Sequence, residues 1–496
     1  MKITYNNLEE KIAFEGIILP YFEDCQGNYD SLEVLNSNKL PIDYLKSKDL
    51  FSGQKNQIYH LLISNEDRAL DLVLTGLGKR ENLNGDILRK AVARGYKELK
   101  KRKVSSVGIY LHDVKIGLKC NYAIAKNAAE AVVMADYKFN DYKTDNKKEC
   151  VEKVSILFND INDNFKNGFN EGISLGKNNI LARRLVNEPA NILTPEELAK
   201  RTIELGKEKG FEVEIYDLEK IQELKMEAYL SVAMGSEKPP KFIIMRYTGD
   251  PEGETLGLVG KGLTYDSGGL SLKTTKGMVT MKGDMAGAAA VIGAMSAIAE
   301  NRLKVNVTAV VAACENMISG RSYKPGDIIN SMGGKTIFIG NTDAEGRLTL
   351  IDAMHYIVTY EKVDRVVDIA TLTGAAIHCL GYDATVGIGN NDEFFKSMDK
   401  SFDKAGEKIW RMPIFEEYKE LLKHPEADLT NTADSPGTIT AGMFIGEFAR
   451  EIPWIHLDIA GTSGAKKEKE YISKGATGVG VRPLYYLAKD MAKKTR

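Results

Sequence analysis

Apolar and polar positions along this chain fall into short strand-like runs separated by helix-like ones. In the first third, the runs 57–63, 71–77, 106–112 and 154–158 are short, apolar and rich in Val, Ile and Leu, as strands are. Between them, 84–103 reads as a helix whose basic tail (Lys97, Lys100, Lys101, Arg102, Lys103) suits a helix C-terminus. A second, Ala-rich helix is predicted over 117–135. The stretches 137–148 and 159–170 are polar, and 171–186 then resumes a helical pattern. The turn Asn187-Glu188-Pro189-Ala190-Asn191 follows. After it, Thr194-Pro195-Glu196-Glu197 carries an N-cap, a first-turn proline and a capping-box glutamate.

Beyond that point the alternation continues. Strands are predicted at 212–216, 241–247, 256–260, 305–313, 335–339, 365–370 and 454–459, with helices filling most gaps. The pattern predicts an α/β fold with a parallel or mixed sheet flanked by helices. At 496 residues the chain exceeds one typical core, so two domains are expected. The expected division is 1–165, a connecting helix over 166–186, and 187–496.

Composition narrows the class. Apolar content is 43% and charged content 27%, ordinary for a globular protein. The net charge of −2 gives no pull toward nucleic acid or an anionic membrane, so neither is expected as a partner. Five scattered cysteines (Cys25, Cys120, Cys150, Cys314, Cys379) with no CxxC pair argue against a disulfide framework and for a reducing compartment. The longest uncharged, mostly apolar run, 285–299, falls short of the roughly 20 residues of a spanning helix. The N-terminus lacks the apolar core of a signal peptide. A cytoplasmic location is expected.

Candidate chemistry sits in two clusters. The octapeptide Asn341-Thr342-Asp343-Ala344-Glu345-Gly346-Arg347-Leu348 sets two carboxylates two residues apart, with a guanidinium two further on. A strand-like run leads into it and a helical one (Leu348, Ile351, Met354, Val358) leaves it. Upstream, Lys261 follows a buried-type strand, Asp266 lies five residues on in a Gly-rich loop, and Asp284 precedes an Ala-rich helix. Each has an ordinary use: an ion pair, a helix N-cap, or a solvated lysine at Lys273. Taken together, Asp266, Asp284, Asp343 and Glu345 all fall at predicted strand ends or helix starts of one α/β unit. Converging carboxylates raise each other's pKa unless cations compensate, and one or two divalent metals would do so. An oxygen-rich set with a lysine amine and no His or Cys suits Mg and Mn and allows Zn. HExxH is absent, which excludes a thermolysin-like zinc site. A two-metal carboxylate site suits hydrolysis, and Lys273 and Arg347 are nearby cations for a developing oxyanion or an anionic base. Spacing alone does not separate amides from phosphate esters.

These segments, with 185–198, resemble the signatures of the leucyl (cytosol) aminopeptidase family, and the octapeptide matches the family hallmark without a change. The likeness covers roughly 175–485 and is weaker before it. It implies a two-metal exopeptidase that releases N-terminal residues from peptides, assembled as a homohexamer, with a macro-like, non-catalytic N-terminal α/β domain and a C-terminal catalytic domain. It implies that Lys261, Asp266, Asp284 and Glu345 hold one metal and Asp266, Asp343 and Glu345 the other. Lys273 matches the catalytic lysine and Arg347 the arginine that holds a bicarbonate base. Met281, Thr371, Gly374 and Ala476 match the pocket for the first side chain, implying a preference for Leu and other apolar residues. Thr274 stands where the family often has proline, and Mn, Zn and Mg remain open as the metal. Two other readings are a DNA-binding or structural hexamer and a two-metal phosphoesterase.

Overall fold

The first of two sheets orders its strands β1-β6-β5-β2-β4-β3. These are β1 (Lys2–Asn6), β2 (Gly16–Phe22), β3 (Ile58–Asn65), β4 (Arg68–Gly78), β5 (Ser106–Tyr110) and β6 (Lys153–Leu157). All neighbours are parallel except the edge pair β3–β4. The computed structural model describes residues 1–8, 10, 13–24, 41–65, 68–144, 151–433 and 435–494. Helices Gly85–Lys101 and Asn121–Asp136 supply much of this unit's core, through Leu88, Val92, Tyr96 and Ala128 among others. Asn84 caps the first of them by accepting from the Asp86 and Ile87 amides. Contacts divide the chain into Met1–Lys177 with Lys467–Ser473, and Asn178–Lys466 with Lys474–Arg496. The division falls within one long helix, Asp163–Asn187, which begins inside the polar stretch before the apolar pattern resumes.

The second unit holds an eight-stranded mixed sheet. Its strands, with those of a small side sheet, run in chain order as β7 (Glu212–Tyr216), β8 (Lys241–Thr248), β9 (Thr255–Asp266), β10 (Asn306–Asn316), β11 (Ile328–Asn330), β12 (Thr336–Phe338), β13 (Arg365–Ala370), β14 (Thr385–Gly389), β15 (Ile409–Arg411), β16 (Leu429–Thr430) and β17 (Trp454–Asp458). The main order is β15-β14-β17-β13-β9-β10-β8-β7, with a parallel centre β17-β13-β9-β10. Central parallel strands are covered on both faces and therefore read as unbroken apolar runs. Helix Ala286–Glu300 packs on β9 and is buried along nearly its whole length, as its Gly/Ala-rich, all-apolar sequence requires. The predicted Thr194 cap is present, accepting from the Glu197 amide at 3.2 Å, with Pro195 in the first turn.

Three expectations change. The run at 335–339 is only β12, and it belongs to the side sheet β11-β12-β16, so the octapeptide does not follow a strand of the main sheet. β9 does not end near Gly260 but continues through Lys261 to Asp266, because its ladder to β10 continues past the first charged residue. Asp266 is therefore a strand residue, not a loop residue. Strands β1, β2 and β14 are not among the predicted runs; β2 is short and apolar like them but carries Pro20, which speaks against a central strand. Of the cysteines, Cys120, Cys314 and Cys379 are free thiols, while Cys25 and Cys150 lie outside the described residues. No helix among the described residues is long and apolar enough to cross a membrane.

Candidate metal centre

Lys261 and Asp266 are an odd number of residues apart, which in a regular strand would send their side chains to opposite faces. The β9–β10 register prevents this: Leu263 pairs with Cys314 and Tyr265 with Glu315, leaving Thr264 as one extra residue. This bulge resets the alternation and lets both side chains serve one site. After Asp266 the chain reverses through Gly268 (φ +87°) and Gly269 (φ +62°), a left-handed pair that side-chain-bearing residues adopt with strain. The reversal brings Lys273 back, its Nζ 2.7 Å from Asp266 Oδ2 and in contact with Asp343 Oδ1.

Lys261 lies on the other side of the cluster. Its Nζ is 2.7 Å from Asp284 Oδ2 and 2.9 Å from Glu345 Oε1, and it donates to the Thr371 carbonyl at 3.0 Å. Thr371 Oγ1 in turn donates to Asp284 Oδ1 at 2.8 Å. One ligand oxygen each from Asp266, Asp343 and Glu345 fall within 4.8 Å of one another. Neither Asp284 nor Glu345 caps its neighbouring helix: Met285 and Glu345 stand at the N-cap positions with no side-chain cap bond. Both acids turn toward the cluster instead, so the ordinary reading of Asp284 as a cap fails.

The electrostatics follow from burial. Lys261, Asp266, Asp284 and Glu345 are each at most 5% exposed. Burial raises Glu345 to about 8, with Asp266 adding to the rise and Lys261 opposing it. Burial raises Asp284 to about 6 against the pull of Lys261. Asp343 is also raised, by burial and by Asp266, despite its contact with Lys273. Burial opposes the charge on Lys261 and Lys273, but the surrounding carboxylates outweigh it and hold both above the usual lysine value. Asp284 Oδ2 and Asp343 Oδ1 are buried, face lysine nitrogens, and accept no well-directed hydrogen bond among the described residues. Crowded carboxylates with spare lone pairs and one amine fit hard or borderline divalent cations.

Residues 180–485 match the model for the catalytic domain of the cytosol aminopeptidase family, and residues 18–146 match the model for its N-terminal domain. The chain belongs to the cytosol aminopeptidase family. It is 48% identical to a probable cytosol aminopeptidase of Clostridium perfringens, over 99% of this chain and 100% of that one. A second, from Alkaliphilus oremlandii, is 45% identical over 98% of both chains. Among solved structures, a tomato leucine aminopeptidase mutant superposes with a TM-score of 0.89 at 31% identity, covering 99% of this chain and 96% of that chain. The bottromycin maturation enzyme BotP, in complex with Mn, gives a TM-score of 0.85 at 28% identity, covering 97% and 100%. The chain is thus a metal-dependent aminopeptidase of the leucyl aminopeptidase type, a hydrolase. The DNA-binding and phosphoesterase readings find no support in these matches.

Within this family member the remaining predicted residues are placed less uniformly. Arg347 is buried in the first turn of helix Gly346–Thr359, and its Nε has no hydrogen-bond partner among the described residues. Burial lowers it to about 10, with Glu345 and Asp458 opposing. Thr371 is tied to the acidic cluster as described. Met281 opens the 3₁₀ turn before Asp284, and Gly374 opens helix Gly374–Leu380 with, among the described residues, nothing beyond its chain neighbours and its own helix backbone within 4 Å of where a Cβ would stand. Ala476 is buried on a short ribbon, its amide donating to Asn187 Oδ1 at 3.1 Å. The Met281 carbonyl accepts from the Asp284 amide at 3.3 Å, and among the described residues no hydrogen bond joins Gly374 or Ala476 to the cluster.

Three organising residues escaped the sequence reading. Asn431 accepts from the Gly340 amide at 2.8 Å and donates to the Asn341 carbonyl at 2.7 Å, holding the start of the octapeptide. Asp458 accepts from the Leu372 amide at 3.1 Å and from Thr373 Oγ1 at 2.7 Å, fixing the turn beyond Thr371. Asn316 is the third. All are buried polar residues lying singly in sequence, with no motif to mark them.

Proposed function

We propose that the cluster is a two-metal centre. Lys261, Asp266, Asp284 and Glu345 would hold one divalent ion and Asp266, Asp343 and Glu345 the other. The observation that carries this reading is the convergence of buried carboxylates, three of whose oxygens lie within 4.8 Å of one another. Two bound ions would supply Lewis acidity toward a peptide carbonyl and an activated bridging water. Mn, Zn and Mg all suit the donors, and BotP's complex with Mn favours trying Mn first.

The chain's own residues account for the rest. Lys273, held charged by its carboxylate neighbours, is the cation for negative charge developing on the carbonyl oxygen. Asp284 offers a carboxylate for the substrate's α-ammonium group, which restricts the enzyme to N-terminal residues. Arg347, buried with an unpartnered Nε, would anchor an anionic base such as bicarbonate. Thr371, Gly374, Met281 and Ala476 would line the pocket for the first side chain, favouring Leu and other apolar residues. We assign 187–496 to catalysis, 166–186 to a connecting helix and 1–165 to a non-catalytic macro-like role, and propose a cytoplasmic homohexamer acting on peptides.

The test is metal analysis together with turnover of Leu-p-nitroanilide after chelation and reloading with Mn, Zn or Mg. Two ions per chain and activity restored by reloading are expected. Retention of full turnover by a metal-stripped enzyme would overturn the centre, and turnover of p-nitrophenyl phosphate in its place would overturn the substrate class.

A further inference from the structure

Asn316 ends β10 and is fully buried. Its side-chain amide donates one hydrogen to Asp266 Oδ1 at 2.8 Å and the other to the Thr342 carbonyl at 3.0 Å. Both partners are pure acceptors, so the nitrogen must face them. The amide oxygen accepts no hydrogen bond among the described residues. Burying an unsatisfied oxygen is costly, so the group's value lies in its two donors. The Asn316 backbone carbonyl also accepts from the Ser267 amide at 3.0 Å and from Ser267 Oγ at 2.7 Å.

Thr342 meets it from the octapeptide side. Its hydroxyl donates to the Gly268 carbonyl at 2.7 Å and accepts from the Ser271 amide at 2.8 Å. Its own amide donates to Ser271 Oγ at 3.1 Å, and its carbonyl accepts a further bond from Tyr323 at 2.9 Å. The loop after Asp266 and the loop bearing Asp343 and Glu345 are therefore stitched together. Two members of the stitch touch a ligand carboxylate: the Gly268 amide, which donates to Asp266 Oδ1 at 2.9 Å, and Asn316, whose side chain alone reaches both Asp266 and the octapeptide.

We propose that Asn316 is a positioning residue for the metal centre. With the Gly268 amide it pins Asp266 Oδ1, it leaves Oδ2 facing the cluster, and it sets the spacing between Asp266 and the pair Asp343–Glu345. No residue with a single donor can hold both loops at once. A carboxylate there would repel Asp266 and the Thr342 carbonyl. The proposal rests on the two-metal reading above and adds to it a residue that would hold no metal itself.

The experiment measures Mn²⁺ affinity of the full chain by competition with a chelating dye, using MnCl₂ and no substrate. The variants are Asn316→Ala, Asn316→Ser and Tyr229→Phe. Tyr229 donates to the Ala313 carbonyl on the same strand at 2.6 Å, so its loss weakens β10 without touching Asp266. Asn316→Ala is expected to weaken Mn²⁺ binding about 10- to 100-fold, Asn316→Ser less, and Tyr229→Phe by no more than about twofold. If Asn316→Ala does not fold, Asn316→Ser decides the matter by the same comparison with Tyr229→Phe. Wild-type affinity in the folded Asn316 variants, or equal weakening in Tyr229→Phe, would overturn the proposal. Failure of the wild-type chain to bind Mn²⁺ would instead remove the metal reading and this proposal with it.

Discussion

Lys261 Nζ stands 2.9 Å from Glu345 Oε1, joining β9 to the residue that begins helix Gly346–Thr359. The contact depends on the next residue having no side chain, since a Cβ on Gly346 would run into the Lys261 Cε methylene. Alanine is the better helix former by about 1 kcal/mol, so helix propensity alone predicts that Gly346→Ala is harmless. The geometry predicts the opposite for turnover. Displacing Lys261 by even a fraction of its length should lower kcat/KM on Leu-p-nitroanilide about 100-fold, with the fold retained by circular dichroism. Wild-type turnover in this variant would show that Lys261 is not held where the mechanism needs it.

Glu345→Gln keeps the side-chain shape and removes the charge. Because Glu345 is proposed to bridge both ions, its loss should release metal and cost several kcal/mol of activation free energy, about 1,000-fold or more in turnover. Metal content and turnover are measured on the same preparation. A variant that keeps two ions and full activity is incompatible with the bridge.

Arg347 makes a different prediction, because it is a buried cation with an unpartnered Nε and not a ligand. Replacing it with Met should slow turnover about 100-fold, less than loss of a bridging carboxylate, since water can partly replace a general base. The melting temperature should hold or rise, as a poorly paired buried charge opposes folding. Bicarbonate added to depleted buffer should speed the wild type and leave Arg347→Met unchanged. Insensitivity of the wild type would remove the base from the proposal.

The site was more legible in sequence than the frame that builds it. Asp343, Glu345 and Arg347 lie in one octapeptide, and Lys261, Asp266, Lys273 and Asp284 within two dozen residues, so their chemistry could be read by spacing. What spacing hides is the bulge at Thr264, without which Lys261 and Asp266 would face apart. The side sheet was hidden for a related reason: β12 is short and apolar like a main-sheet strand, and only its partners reveal where it belongs. β2 is an unbroken buried run like the predicted strands, but Pro20 within it argues against a central strand. Asn316, Asn431 and Asp458 act through partners 20 to 91 residues away. Single buried amides and acids of this kind leave no local pattern.

Stability should also depend on pH through a pair outside the metal cluster. His456 and Asp368 are both fully buried, with Nδ1 2.5 Å from Oδ1, and Trp454 Nε1 donates to the other Asp368 oxygen at 2.7 Å. Burial alone would lower the histidine. Asp368, with help from Asp458, outweighs burial and the opposing Arg347 and raises it above its usual 6.5. A histidine raised in the folded state binds its proton more tightly there than in the unfolded chain. Its stabilisation is therefore fully present below the unfolded value and is lost as pH rises through the folded one. In Asp368→Asn the ring keeps a neighbour but loses the charge that raises it. The drop in melting temperature from pH 6 to pH 8 should accordingly be smaller in Asp368→Asn than in the wild type, measured with metal-free protein so that the cluster's own ions do not contribute. An equal or larger drop in the variant would mean that His456 stays neutral across this range and that the pair is held by a neutral hydrogen bond.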